Sequence, residues 1–366
     1  MGTMPLYFDN NATAPLRPEA SAAMHKAMGA PANPSSVHSF GRNARLTVEA
    51  ARESVAVLAG SRPADVVFTS GGTEANNLAL AGFDHIVTSV IEHDSVLDCA
   101  VNASTINVTP DGMIDLDHAR EVLAELTDEQ RPVTILSVMA ANNETGVIQP
   151  LAELVALAHE YGIAVHSDMV QLLGKDHFSF NALGLDFASL SAHKIGGSAG
   201  VGALLVKPGN ALTSLLRGGG QEQGRRSGTE NLIGIAGFGA AASAAFGDVA
   251  HYQAMSKWRD QFENIVLANV PDACVFGQKS TRLGNTSCLS IAGKSAETMV
   301  MALDIAGAAI SAGSACSSGK VKSSHVLAAM GAGDLAGQAV RISGGWQTKQ
   351  TDFERLADVF LELYKR

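Results

Sequence analysis

The sequence predicts an α/β protein, with a large, doubly wound, mostly parallel sheet domain and a smaller α+β domain. Three observations predict it. Strand-like and helix-like stretches alternate from residue 66 to residue 206. The stretch 133–140 is almost continuously apolar, as a strand covered on both faces requires. Beyond residue 247 the alternation gives way to a mixed pattern of helices and short strands.

In chain order, residues 1–40 are dense in Pro and Asn, as in Asp9-Asn-Asn-Ala-Thr-Ala-Pro and Pro31-Ala-Asn-Pro-Ser-Ser-Val-His, and read as irregular turns. Leu46, Ala50, Val57 and Leu58 lie near one stripe, which predicts a helix over 42–58. Val66-Val-Phe-Thr-Ser predicts a strand that runs straight into a helix opened by Gly71-Gly-Thr-Glu. Further strands are expected at 85–90, 105–108, 133–140, 163–166, 186–191 and 201–206. Helices are expected from Ser95 onward, over 117–126 and over 150–161. The uncharged run 231–247 is built mainly from Gly, Ala and Ser. A membrane span needs about 20 predominantly apolar residues, so this run reads as a tightly packed internal helix. Helices at 251–269, 296–304, 323–330 and 352–364, with strands at 273–276, 287–292 and 339–343, complete the chain. The expected division is 15–250 for the large domain and 1–14 plus 251–366 for the small one.

The 366 residues are 46% hydrophobic and 17% charged, enough for a sizeable core. A net charge of -10 argues against a general nucleic-acid surface. The first ten residues have neither a basic start nor an apolar core, so no signal peptide is expected and the protein reads as cytoplasmic, with no membrane partner. Four cysteines without a Cys-x-x-Cys pair are no disulfide framework, which fits a reducing compartment. Cys99, Cys274 and Cys288 fall in helix-like or strand-like runs and read as small buried hydrophobes.

The chemistry-bearing residues fall in the turns after strands. Lys194 follows the run 186–191 and opens a glycine-rich stretch that extends to Gly202. A desolvated lysine amine becomes a nucleophile, most often toward a carbonyl cofactor. A lysine snorkelling from a strand end is the competing reading. Ser70-Gly-Gly-Thr-Glu, with Gly72 and Thr73 at a strand-to-helix junction, is an anion cradle or an ordinary capped turn. Asp168, just past a strand end, can hold a pyridinium nitrogen protonated, and Gln171 lies close enough to reach the same ring. His93 sits at another such turn, where it could stack on a flat cofactor or relay protons. Asn143 occupies a fourth. His38 and His166 read as structural. Four loops converging with Lys194 on one sheet edge weigh more than any single motif. Gly196-Gly-Ser-Ala-Gly lacks the strand–turn–helix context of a hydrolase nucleophile. Gly237-Phe-Gly does not follow a strand, as a dinucleotide fingerprint must. No metal site is expected. Cys316, in Ser311-Ala-Gly-Ser-Ala-Cys-Ser-Ser-Gly-Lys, stands among small residues, with Lys320 and Lys322 near enough to favour its thiolate. It reads as a nucleophile.

Taken together, these residues resemble the cysteine desulfurases of the NifS/IscS type, in the class V aminotransferase family. The resemblance runs almost end to end. It is carried by Tyr7-Phe-Asp-Asn-Asn-Ala-Thr, Phe68-Thr-Ser-Gly-Gly-Thr-Glu-Ala-Asn-Asn, Ala141-Asn-Asn-Glu-Thr-Gly, His166-Ser-Asp-Met-Val-Gln, Ser191-Ala-His-Lys, Arg226-Ser-Gly-Thr-Glu-Asn and Gly313-Ser-Ala-Cys-Ser-Ser-Gly. It implies the fold type I of pyridoxal-phosphate enzymes, with pyridoxal 5'-phosphate held by Lys194 as Schiff-base lysine. Asp168 is implied on the pyridine nitrogen, His93 stacked on the ring and Gln171 on the ring hydroxyl. Thr73, Ser191 and His193 are implied at the phosphate, with Thr229 of the partner subunit, hence a homodimer, and Gly72 and Asn143 are implied among the residues that bind the cofactor. Asn143 and Arg341 are implied at the carboxylate of L-cysteine, where a guanidinium fork suits the task. The implied chemistry is removal of sulfur from L-cysteine to give alanine and a persulfide on Cys316. A sulfur acceptor or iron–sulfur scaffold protein is the implied partner, and any link to nucleic acid is indirect, through tRNA thiolation. Two departures stand out: Gly197-Ser-Ala-Gly replaces the frequent Gly-Pro-Lys-Gly, and Ser343-Gly-Gly-Trp replaces Ser-Leu-Gly. The competing readings are a selenocysteine lyase, another class V enzyme, or a non-catalytic partner that keeps the fold.

Overall fold

The structure, a computed structural model, describes residues 5–29, 31, 33–313 and 323–364. The larger sheet has seven strands, in the order Val66–Thr69, Gly202–Val206, Phe187–Ser191, Ala164–Asp168, Thr134–Met139, His85–Ser89, Ser104–Ile106. The first two joins are antiparallel and the other four are parallel. Two reversals in succession restore direction, so Val66–Thr69 points the same way as the five parallel strands. The turns that follow these strands therefore open on one edge. Gly202 makes the reversal fit: a Cβ there would lie 2.6 Å from the Leu190 carbonyl oxygen and 2.7 Å from the Gly71 carbonyl carbon.

The small-residue run forms the helix Leu232–Ala245, mostly buried, packed between Pro18–Met28 and Ser39–Ala59. Close approach is why its residues are small: a Cβ on Gly239 would come 2.5 Å from the Ala51 Cα. Among the described residues no single helix is long and apolar enough to cross a membrane.

A second, antiparallel sheet holds Ser311–Ala312, Ala339–Ser343, Thr286–Ile291 and Ala273–Val275 in that order. The helices Val249–Asn269 and Gln350–Tyr364 pack together beside it through Phe262, Phe353 and Phe360. The N-terminal strand Leu6–Tyr7 pairs with Ala308–Ala309, and Phe8 stacks edge-on against Phe353 at 4.8 Å. The chain then crosses to the large sheet, where the Ala14 amide donates to the His193 carbonyl and the Arg17 amide to that of Gly196.

Several expectations change. The first forty residues are not all irregular. Pro18–Met28 is a helix, started by a proline at its first turn and Glu19 behind it. The helix expected from Ser95 is only Asp94–Leu97, so Cys99 lies beyond it, half-buried. Cys274 is also half-buried, and Cys288 alone of the three is fully buried. Trp346, in one of the two departures, donates to the Pro15 carbonyl at 3.0 Å and lies under the Arg17 guanidinium, so that departure packs against the N-terminal crossing.

Candidate active site

A cavity of about 470 Å³ opens at the shared edge, between the large sheet and the small one. Gly72, Thr73, His93, Asn143, Asp168, Gln171, Ser191, His193, Lys194 and Arg341 all line it. All ten were expected at one site, and the structure places them on one cavity.

Lys194 ends the short turn Ala192–Lys194 that closes its strand. Its Nζ donates to the carbonyls of Asn11 and Ala12, the latter at 2.8 Å. Burial, and then the Arg341 charge, pull its pKa down from 10.5 to about 8, against the opposing pull of Asp168 and Asp9. Its amine is therefore a far better nucleophile at neutral pH than a surface lysine.

Asp168 is the last residue of Ala164–Asp168 rather than lying past it. Its Oδ1 accepts from the Val170 amide at 3.0 Å, and its Oδ2 from Asn76 Nδ2 at 2.8 Å. Asn76 Nδ2 also donates to Ser95 Oγ at 2.8 Å. Ser95 Oγ lies 2.8 Å from His93 Nδ1, and the Ser95 amide donates to the same nitrogen at 3.1 Å. An amide N–H can only donate, so His93 Nδ1 is an acceptor and the ring proton of neutral His93 sits on Nε2. His93 therefore offers a hydrogen-bond donor at Nε2.

Gly72 and Thr73 open the helix Gly72–Leu80, whose free amides favour an anion. Glu74 in the same turn accepts the Ser70 amide and pairs with Arg226 at 2.8 Å, tying this turn to the loop that carries Thr229. Thr229 itself is exposed and does not line its own chain's cavity. His193 Nδ1 lies 3.2 Å from Thr13 Oγ1. Burial, with the charges of Lys194 and Lys175, pushes its pKa down to about 4, so it is neutral at pH 7. Arg341 donates from Nη2 to Asp9 at 2.8 Å and from Nη1 to the Asn143 carbonyl at 3.3 Å. Its Nε is buried with no partner among the described residues. The Gln171 amide is already engaged: Nε2 donates to the Asn11 carbonyl at 3.0 Å, and Oε1 accepts from Lys175 at 2.9 Å. Cys316, Lys320 and Lys322 lie outside the described residues, while Gly313 and Ser323 line the cavity.

The residues present fit a phosphorylated pyridine aldehyde. A depressed lysine amine suits the aldehyde, a carboxylate held by two N–H donors suits the ring nitrogen, and a helix N-terminus beside neutral polar groups suits the phosphate. His166 bridges Ser137 and Ser189 at 2.9 Å each, is fully buried, and is pushed by that burial to about 4, as a structural histidine. His38 accepts the Gly41 amide as a helix cap. Sequence reasoning passed over Asn11, Asn76, Lys175 and Glu92. Burial lifts the Glu92 carboxyl to about 8, so at pH 7 it is mostly uncharged and adds little repulsion to Asp168. The signal for Asn11 and Asn76 was in hand, as doubled asparagines, one pair in a run that reads as turns and the other in a run that reads as a helix start.

Residues 6–356 match the aminotransferase class-V family. The cysteine desulfurase IscS of Dictyoglomus turgidum is 36% identical over 379 residues, covering 99% of this chain and 95% of that protein. The solved structure of a NifS-like protein from Rickettsia africae superposes with a TM-score of 0.91 at 34% identity, covering 98% of this chain and 99% of that one. A structure of SspA in complex with cysteine superposes with a TM-score of 0.79 at 30% identity, covering 92% and 98%.

Proposed function

This chain belongs to the class-V aminotransferase family, among its cysteine desulfurases of the NifS/IscS type, and we propose that it takes the sulfur of L-cysteine, releases L-alanine and keeps the sulfur as a persulfide on Cys316. One observation carries the reading: Lys194 with its depressed amine, Asp168 held by two donors, and the Gly72–Thr73 helix start face one cavity.

Pyridoxal phosphate, when bound, supplies an electron-poor ring that draws electrons from the substrate's α-carbon. Lys194 would hold its aldehyde carbon, Asp168 its ring nitrogen and Gln171 its ring oxygen. Gly72, Thr73, Ser191 and His193 would hold its phosphate, with Thr229 of the partner subunit, so the active form is a homodimer. Arg341 and Asn143 bind the substrate carboxylate. Asp9 competes for that guanidinium, and the unpartnered Nε leaves it a further donor. Lys194 takes the α-proton, which an amine titrating near 8 does readily. The Cys316 thiolate attacks the substrate sulfur. An S–S bond forms as the C–S bond breaks, and the carbon that loses sulfur takes a proton from Lys194, which holds the one removed from the α-carbon; His93 relays protons near the sulfur. The persulfide then passes to an iron–sulfur assembly acceptor in the cytoplasm. The same reading assigns 15–250 to the large domain and 1–14 with 251–366 to the small one.

The test separates products. Alanine and sulfide from L-cysteine, with one extra sulfur on Cys316 by mass spectrometry, are expected. Keto acid in place of alanine would move the protein to a transaminase.

A further inference from the structure

The stretch Gln171-Leu-Leu-Gly-Lys175 carries a second lysine into the core. Lys175 is 2% exposed and does not line the cavity. Its Nζ donates to Gln171 Oε1 at 2.9 Å and to Asn11 Oδ1 at 3.0 Å. A buried ammonium is costly unless it is well paired, and here the charges that act on it are cations, Lys194 and Arg341. They add to the burial that pushes its pKa well below the usual value. The fold keeps it nonetheless, and what it touches is a residue of the site.

The orientation of every amide here is fixed by groups with a single hydrogen-bonding role. Asn11 Nδ2 donates to the Asn143 carbonyl at 3.1 Å, which turns Asn11 Oδ1 toward Lys175. Gln171 Nε2 donates to the Asn11 carbonyl, which turns Gln171 Oε1 toward Lys175. A lysine nitrogen has hydrogens for two acceptors whether charged or neutral. One hydrogen of Gln171 Nε2 is committed to Asn11, the other has no partner among the described residues, and Gln171 lines the cavity. A donor behind the carboxamide oxygen also polarises the amide and strengthens the N–H on its far side.

We propose that Lys175 is a positioning residue acting through Gln171: it holds the carboxamide oxygen so that the cavity meets an amide N–H, which would donate to the ring oxygen of pyridoxal phosphate when that is bound. The inference rests on the reading that this cofactor occupies the cavity. A donor to that oxygen would, with the cofactor bound, draw electron density from the group that Lys194 would hold and so lower its proton affinity.

The test is the visible absorption of the holoenzyme against pH. In Lys175→Met the midpoint of the colour change should move up by about one pH unit. Gln171→Leu should give a similar shift, and the double variant should add little to either. Lys175→Gln keeps a donor without the charge and should restore the midpoint. An unmoved midpoint in Lys175→Met overturns the inference, and so does a shift that persists undiminished in the Gln171→Leu background. If Lys175→Met does not fold, glutamine-selective ¹⁵N NMR of the wild type decides. One Gln171 side-chain hydrogen should change shift when cofactor binds, and two unmoved hydrogens overturn the inference. A wild type that stays colourless with pyridoxal phosphate would sink the cofactor reading instead.

Discussion

Lys194 should titrate about 2.5 pH units below an ordinary lysine, from 10.5 to about 8. The perturbation is pH itself, applied to the cofactor-free protein. At pH 7 roughly a tenth of Lys194 is then neutral, against roughly three in ten thousand for an exposed lysine, an advantage of about 300-fold in reactive amine. Pulsed labelling with an amine reagent, read by peptide mass spectrometry, should show Lys194 half-reactive near pH 8. Lysines on the surface should lag well behind it. The same shift has a stability sign. The folded pKa lies below the unfolded one, so between about 8 and 10.5 the unfolded chain binds more protons. The contribution of this group is full above 10.5 and is lost as pH falls toward 8, by about 3 kcal/mol at 1.36 kcal/mol per unit. Urea unfolding of the wild type should therefore gain stability over that range relative to Lys194→Met. Half-labelling of Lys194 above pH 10, or parallel pH profiles for the two proteins, would refute the reasoning.

Three further outcomes are expected. Asn76→Ala removes a buried donor to the Asp168 carboxylate and should weaken pyridoxal phosphate binding about tenfold to a hundredfold, by absorbance titration, from ~1.5–3 kcal/mol for a hydrogen bond to a charged group. Cys316→Ser should fold and bind cofactor as the wild type does yet release no alanine, because serine is a far weaker nucleophile. In the wild type the added sulfur should appear on Cys316 and not on Cys99, Cys274 or Cys288. Gly202→Ala sets a Cβ 2.6 Å from the Leu190 carbonyl oxygen and should lower stability by at least ~1–3 kcal/mol in chemical denaturation.

What was legible in the sequence followed from periodicity and turn chemistry. Alternating strands and helices, and polar turns after strands, sufficed to bring Thr73, His93, Asp168 and Lys194 to one edge. The helix Pro18–Met28 was not read because its residues are mostly small and polar, with Ala20 its one buried position, so no apolar stripe announced it. The supporting shell was illegible for a different reason. Asn76 serves Asp168 across 92 residues and Lys175 serves Asn11 across 164. No local pattern encodes partners that far apart. A buried lysine also reads in sequence like any surface one. Only the geometry shows that Asn11 joins Lys194 and Lys175 to Thr286 and Asn285 of the small sheet's strand and its approach.

The charge of the site then has a reason that the whole chain's charge conceals. The protein carries a net charge of -10, yet Lys194 and Arg341 line the cavity and Lys175 stands behind it; Asp94, Glu144 and Asp168 share the wall, where burial raises the pKa of Glu144, and Asp9 pairs with Arg341. Burial lowers the proton affinity of Lys194, Lys175 and His193, and neighbouring cations lower it further. That mutual repulsion is a standing cost to the cofactor-free fold. A phosphate and a substrate carboxylate each bring the opposite charge to these groups, so part of the attraction for anions is relief of repulsion already present. The same crowding keeps a usable fraction of Lys194 neutral at pH 7. Nucleophilicity and anion affinity thus come from one arrangement, and substitutions that dilute the positive charge should weaken both together.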